Sequence, residues 1–95
     1  MIKIIAKLQV KPECKEELIK LVTPLIEASR AEAGNIDYGL HESLEDPNSL
    51  AFIEIWKDQA AIDSHNASEH FTSTLPKVAP LCEGPMTADF YKVLV

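Results

Sequence analysis

NIDYGLHESLEDPNSLAFIEIWKD, residues Asn35 to Asp58, decides the fold. Ile36–Leu44 and Leu50–Lys57 both read as strands, and the Glu45-Asp46-Pro47-Asn48-Ser49 insert between them is built from turn formers. So short a connection turns the chain back on itself, and the segment predicts an antiparallel hairpin. On the second strand Phe52, Glu54 and Trp56 share a face, which sets a carboxylate between two aromatic rings.

Upstream, Ile2, Ile4, Ala6, Leu8 and Val10 alternate with Lys3, Ile5, Lys7 and Gln9, the period of a strand with one apolar face. Pro12 suits a first helical turn, and Cys14, Leu18, Leu21, Val22, Leu25 and Ala28 then recur at helical spacing, with Glu13, Glu16 and Glu17 near the positive end. A long amphipathic helix is expected, ending before Gly34 and bent at Pro24, where one backbone hydrogen bond is lost. Downstream, Asp58 can cap a short helix through Ala60, Ala61 and Ile62, and Ser68 a second one carrying Phe71, Leu75 and Val78. His65 and Asn66 then lie at the junction. After Pro80 and Gly84-Pro85, Thr87 to Val95 reads as a last strand, with Tyr91, Val93 and Val95 on one side and Ala88, Phe90 and Leu94 on the other.

This order predicts an α+β, ferredoxin-like βαββαβ domain spanning residues 1–95: a four-stranded antiparallel sheet with helices on one face. The other face, bearing Ile5, Ile53 and Ile55 or their alternates Phe52 and Trp56, is poorly suited to water. A homodimer joined through that face is the simplest cover.

Composition narrows the function. The 95 residues are 46% hydrophobic and 25% charged, ordinary values for a folded globular chain. Fifteen acids against nine scattered bases give a formal charge of -6, which disfavours nucleic acid as a partner. Lysines interrupt the N-terminus before a secretory apolar run can form, and nothing approaches a membrane span, so a soluble cytoplasmic protein without membrane contact is expected. In that compartment Cys14 and Cys82 are expected as reduced thiols, and the Asn66-Ala67-Ser68 sequon has no consequence.

Three histidines are the groups that titrate near neutrality unaided. On one ideal helix His65 and His70 would point about 140° apart, and no paired-Cys or His-Glu-x-x-His pattern exists, so no metal site is expected. His65, at a helix junction, is free to face a cleft. Glu54 in apolar surroundings favours its protonated form and can act as a general acid or base; a salt bridge to Lys3, Lys7 or Lys92 is the competing reading. Asn35 can hold a ligand oxygen or simply occupy a turn, and Tyr38 offers a phenol or simply packs. Phosphate loops and the nucleophile elbow of serine hydrolases are missing from the sequence.

Gly34-Asn35-x-x-Tyr38, Glu54-x-Trp56-Lys57-Asp58 followed by Ala60 and Ala61, His65, and Ser68-x-His70-Phe71 together resemble the antibiotic biosynthesis monooxygenase family, with Gly84-Pro85 extending the likeness almost to the C-terminus. The resemblance implies a dimeric α+β barrel of ferredoxin-like halves. Within the family the chain is most similar to small quinol monooxygenases and to the isomerase of a phosphorylated autoinducer. The first implies oxidation of a small hydroquinone or phenol by dioxygen without a cofactor, with His65 and Glu54 as catalytic groups and Asn35, Tyr38, Phe52, Trp56 and His70 around the substrate. The second implies proton transfer on a small sugar phosphate, and a third reading is a dimeric ligand-binding module without chemistry. The haem-degrading branch needs Asn, Trp and His where this chain holds Ala6, His65 and Leu75, which argues against haem.

Overall fold

The computed structural model describes residues Met1–Val95. Its main elements are β1 (Ile2–Gln9), α1 (Lys15–Arg30), β2 (Asn35–Glu42), β3 (Ser49–Trp56), α2 (Gln59–Asn66), α3 (Glu69–Val78) and β4 (Thr87–Lys92). The strands form one antiparallel sheet in the order β2-β3-β1-β4, and the helices cover one face. This is the expected α+β, ferredoxin-like arrangement.

Alternation decides which face is covered. Leu50, Phe52, Glu54 and Trp56 of β3 are buried with Ile4, Ala6 and Leu8 of β1, while Ile53 and Ile55 lie on the open face. The register carries this across the sheet: Ile4 stands opposite Glu54 and Phe90, Ala6 opposite Phe52 and Ala88, and Ile5 opposite Ile53. The two candidate sets for the bare face are thereby resolved in favour of Ile5, Ile53 and Ile55. Against the covered face α1 lays Leu18, Val22, Leu25 and Ser29, one stripe at three- and four-residue spacing.

α1 runs unbroken through Pro24. Immediately before it the Thr23 hydroxyl donates to the Ile19 carbonyl at 2.6 Å, and burial of Val22 and Leu25 on either side of Pro24 secures the segment. The helix closes at Arg30, with the Ala31 N–H donating to the Ala28 carbonyl at 3.2 Å and the Glu32 N–H to the Ser29 carbonyl at 3.1 Å. Gly34 does not have the left-handed backbone of a helix stop, since the one positive φ in the chain is 76° at Gly84. It is needed for space: a Cβ there would stand 2.3 Å from the Ala61 Cβ. β2 ends at Glu42, short of the expected Leu44, which is fully exposed.

Both expected caps form, the Asp58 carboxylate accepting from the Ala61 N–H at 2.9 Å and the Ser68 hydroxyl from the Phe71 N–H at 3.3 Å. The helices therefore break at Ala67. No helix is long and apolar enough to cross a membrane.

Candidate active site

Between the sheet and its helices lies a cavity of about 140 Å³. Its floor is Ile4, Ala6, Tyr38, Phe52, Glu54, Ala88 and Phe90 on the covered sheet face, and its roof comes from Leu25, Ile62, His65, Phe71, Leu75 and Val78 of the helices, with Met86 at one edge. A dry apolar cavity of about 150 Å³ is enough for one benzene ring. The lining is mostly hydrophobic, and neither a lysine nor an arginine contributes to it.

His65 is the most buried polar group on this wall, at 2% exposure. Its ring is packed between Trp56, with centroids 4.6 Å apart, Phe71 at 5.0 Å and Tyr38 at 5.4 Å. Nδ1 lies 2.7 Å from Oε2 of Glu32, in the turn after α1, and the same oxygen lies 2.9 Å from Nε2 of His70. A carboxylate oxygen accepts, so the contact holds the neutral imidazole as its Nδ1–H tautomer and leaves the lone pair on Nε2. Nε2 is buried without a hydrogen-bond partner, a condition shared only with Ser29 Oγ among buried side-chain polar atoms. Burial lowers the pKa of His65, opposed by the Glu32 hydrogen bond and charge, so the ring is neutral near pH 7.

The expectation that His65 and His70 diverge is overturned. They do not share a helix: the break at Ala67 turns α3 back so that both rings converge on Glu32, 5.9 Å apart by centroid. The three donor atoms of Glu32, His65 and His70 lie within 4.8 Å of one another, the one grouping here that could hold a metal ion.

Glu54 stands on the cavity floor directly opposite Tyr38 in the β2–β3 register. No lysine pairs with it. Its Oε1 instead accepts from the Trp56 indole N–H at 2.8 Å, and burial pushes its pKa up to about 7. Tyr38 is held as a neutral phenol, its pKa raised by burial and by the charge of Glu54.

Of the residues singled out by sequence, Tyr38, Phe52, Glu54 and His65 line the cavity and three do not. Trp56 is fully buried behind the wall, supporting Glu54 and His65. His70 reaches the site only through Glu32. Asn35 is displaced because β2 carries a bulge between Asn35 and Asp37; its side-chain amide donates to the Asp37 carbonyl at 3.0 Å and the Ile55 carbonyl at 3.5 Å. Glu32 escaped notice, since an acid in a helix-ending turn has no sequence signature. Phe71 and Leu75 were legible as an apolar helix stripe, without any sign that they roof a cavity.

Comparison with known proteins places the fold in a family. The family model described as antibiotic biosynthesis monooxygenase matches residues 1–77. The Bacillus subtilis protein named "Putative monooxygenase YcnE" is 38% identical over 86 residues, covering 90% of each chain. A solved structure described as an antibiotic biosynthesis monooxygenase superposes with a TM-score of 0.92 at 34% identity over the full length of both chains. A conserved protein from Methanosarcina mazei Go1 gives a TM-score of 0.94 at 37% identity, covering 96% of this chain and 90% of that one. With the family model spanning most of the chain and these relatives matching nearly end to end, the protein belongs to the antibiotic biosynthesis monooxygenase family.

Proposed function

We propose that this protein is a cofactor-independent monooxygenase that oxidises a small monocyclic hydroquinone or phenol with dioxygen. The observation that carries the reading is the unpartnered Nε2 of His65, a neutral base set beside a one-ring apolar cavity. A phenolate transfers an electron to oxygen far more readily than the phenol, so the protein's main task is to remove the phenolic proton. His65 Nε2 takes that proton, and Glu32 stabilises the imidazolium through Nδ1. The electron-rich ring reduces dioxygen, a C–O bond forms at a ring carbon, and loss of water leaves a quinone: one hydroxyarene and one dioxygen give one quinone and one water. Glu54, titrating near 7, and the neutral Tyr38 hydroxyl supply hydrogen bonds to the substrate oxygens.

A sugar-phosphate isomerase is disfavoured by the lining. No cationic side chain faces the cavity, and the Arg30 Nε–H donates to the Tyr38 carbonyl at 2.7 Å. We also propose a homodimer joined through the Ile5, Ile53 and Ile55 face, acting in the cytoplasm. A panel of monocyclic hydroquinones and phenols in an oxygen electrode tests the activity. Oxygen uptake matched one-to-one by quinone formation is expected for at least one member; saturable binding of members with no oxygen uptake would identify a binding module instead.

A further inference from the structure

His65 is too buried to exchange its proton with water directly, and one group of the cluster, His70, has no part in the chemistry above. Side-chain exposure climbs in steps from His65 at 2% through Glu32 at 17% to His70 at 28%. One oxygen joins the three at 2.7 and 2.9 Å. These are charge-assisted hydrogen-bond lengths, shorter than the ~3.3 Å between two ligands of a tetrahedral ion bound at ~2.0–2.1 Å. The arrangement is built to share protons. The other titratable groups around His65 are Tyr38, in ring contact from β2, and Glu54 on β3, whose carboxylate accepts from the Trp56 indole N–H.

We propose that Glu32 and His70 form a proton outlet for His65, an inference that rests on His65 being the base. Once the substrate proton is on Nε2, the Nδ1–H bond breaks as an O–H bond forms on Glu32 Oε2. His70, which at rest donates its Nε2–H to Glu32, first shifts that proton to Nδ1 by exchange with water; its freed Nε2 then takes the Glu32 proton and its Nδ1 releases its own to water. One proton crosses and no electron moves; the reverse sequence delivers a proton inward. Glu32 and His70 are thus positioning residues that act through His65.

Nitrogen-15 NMR of the histidine-labelled full chain tests this without substrate. The expected result is a His65 proton on Nδ1 that exchanges with solvent without global unfolding. In His70→Gln the amide still donates to Glu32 but cannot relay. Exchange should then slow by roughly tenfold or more, since acid-base assistance is worth roughly 10²–10⁴ in rate, with backbone protection in α2 and β3 unchanged. Exchange unaltered by His70→Gln overturns the outlet. If that variant does not fold, the wild-type profile decides: exchange that follows global unfolding overturns it equally. Equimolar zinc that displaces the protons of both rings with submicromolar affinity overturns it in favour of a metal centre. A His65 proton found on Nε2 instead overturns the base assignment, a failure distinct from that of the outlet.

Discussion

Glu54 shows how one residue's surroundings set both chemistry and stability. Its carboxyl is buried against aromatic neighbours, and its pKa rises from an ordinary 4.5 to about 7. The folded protein therefore binds more protons than the unfolded chain between those values, so stability falls as pH rises through this window and levels off above about 7. At about 1.4 kcal/mol per unit the loss is about 3 kcal/mol. Glu54→Gln should abolish this slope, leaving the variant more stable than the wild type at alkaline pH and near parity in acid, as measured by urea unfolding across the range. His65 obeys the opposite logic: burial depresses its pKa, so the neutral ring needed to accept a proton is already present at neutrality. His65→Ala should reduce turnover of whichever hydroquinone the parent accepts by ~10²–10⁴. Near-parental turnover in a folded variant would remove His65 from the mechanism.

At the scale of elements, the site depends on how α2 meets its neighbours at each end. Its N-terminal turn comes so close to the start of β2 that Gly34 has no room for a side chain, with Ala61 in the way. Gly34→Ala should cost ~1–3 kcal/mol by overpacking, read as a lower melting temperature, and the smaller Ala61→Gly change should relieve the clash in the double variant. At the other end Ser68 makes the break that turns His70 toward Glu32: its hydroxyl donates to the His65 carbonyl at 2.6 Å and accepts from the Phe71 N–H at 3.3 Å. Ser68→Ala should cost ~1 kcal/mol as a lost cap. It should also loosen His70 from Glu32, visible as movement of the His70 ring resonances.

For the whole molecule, the open sheet face is the surface the helices leave bare. Ile5 and Ile53 pair across β1 and β3 on that face, with Ile55 beside them. The helices cannot reach it, because all three pack on the opposite side. The proposed dimer would bury these residues, and light scattering at micromolar concentration should give twice the chain mass. Ile53→Glu, which places a charge at the centre of the patch away from the cavity, should shift the protein to monomer. A monomeric wild type would leave the open face without its proposed cover.

The sequence by itself determined the order of elements, the hairpin, both helix caps and the face shared by Phe52, Glu54 and Trp56, because each follows from a local period or a turn-forming residue. It also brought Tyr38, Glu54 and His65 forward by residue type and placement. What tertiary structure alone decided was which strand face the helices cover, since alternation marks two faces without saying which is buried. Asn35 left the predicted site through a bulge in its pairing with β3, an irregularity that no strand period marks. Glu32 entered it because a chain reversal after α1 meets a second one between α2 and α3, bringing a carboxylate to histidines 33 and 38 residues away. Such a meeting has no sequence period. It arises only when the sheet fixes where both reversals lie.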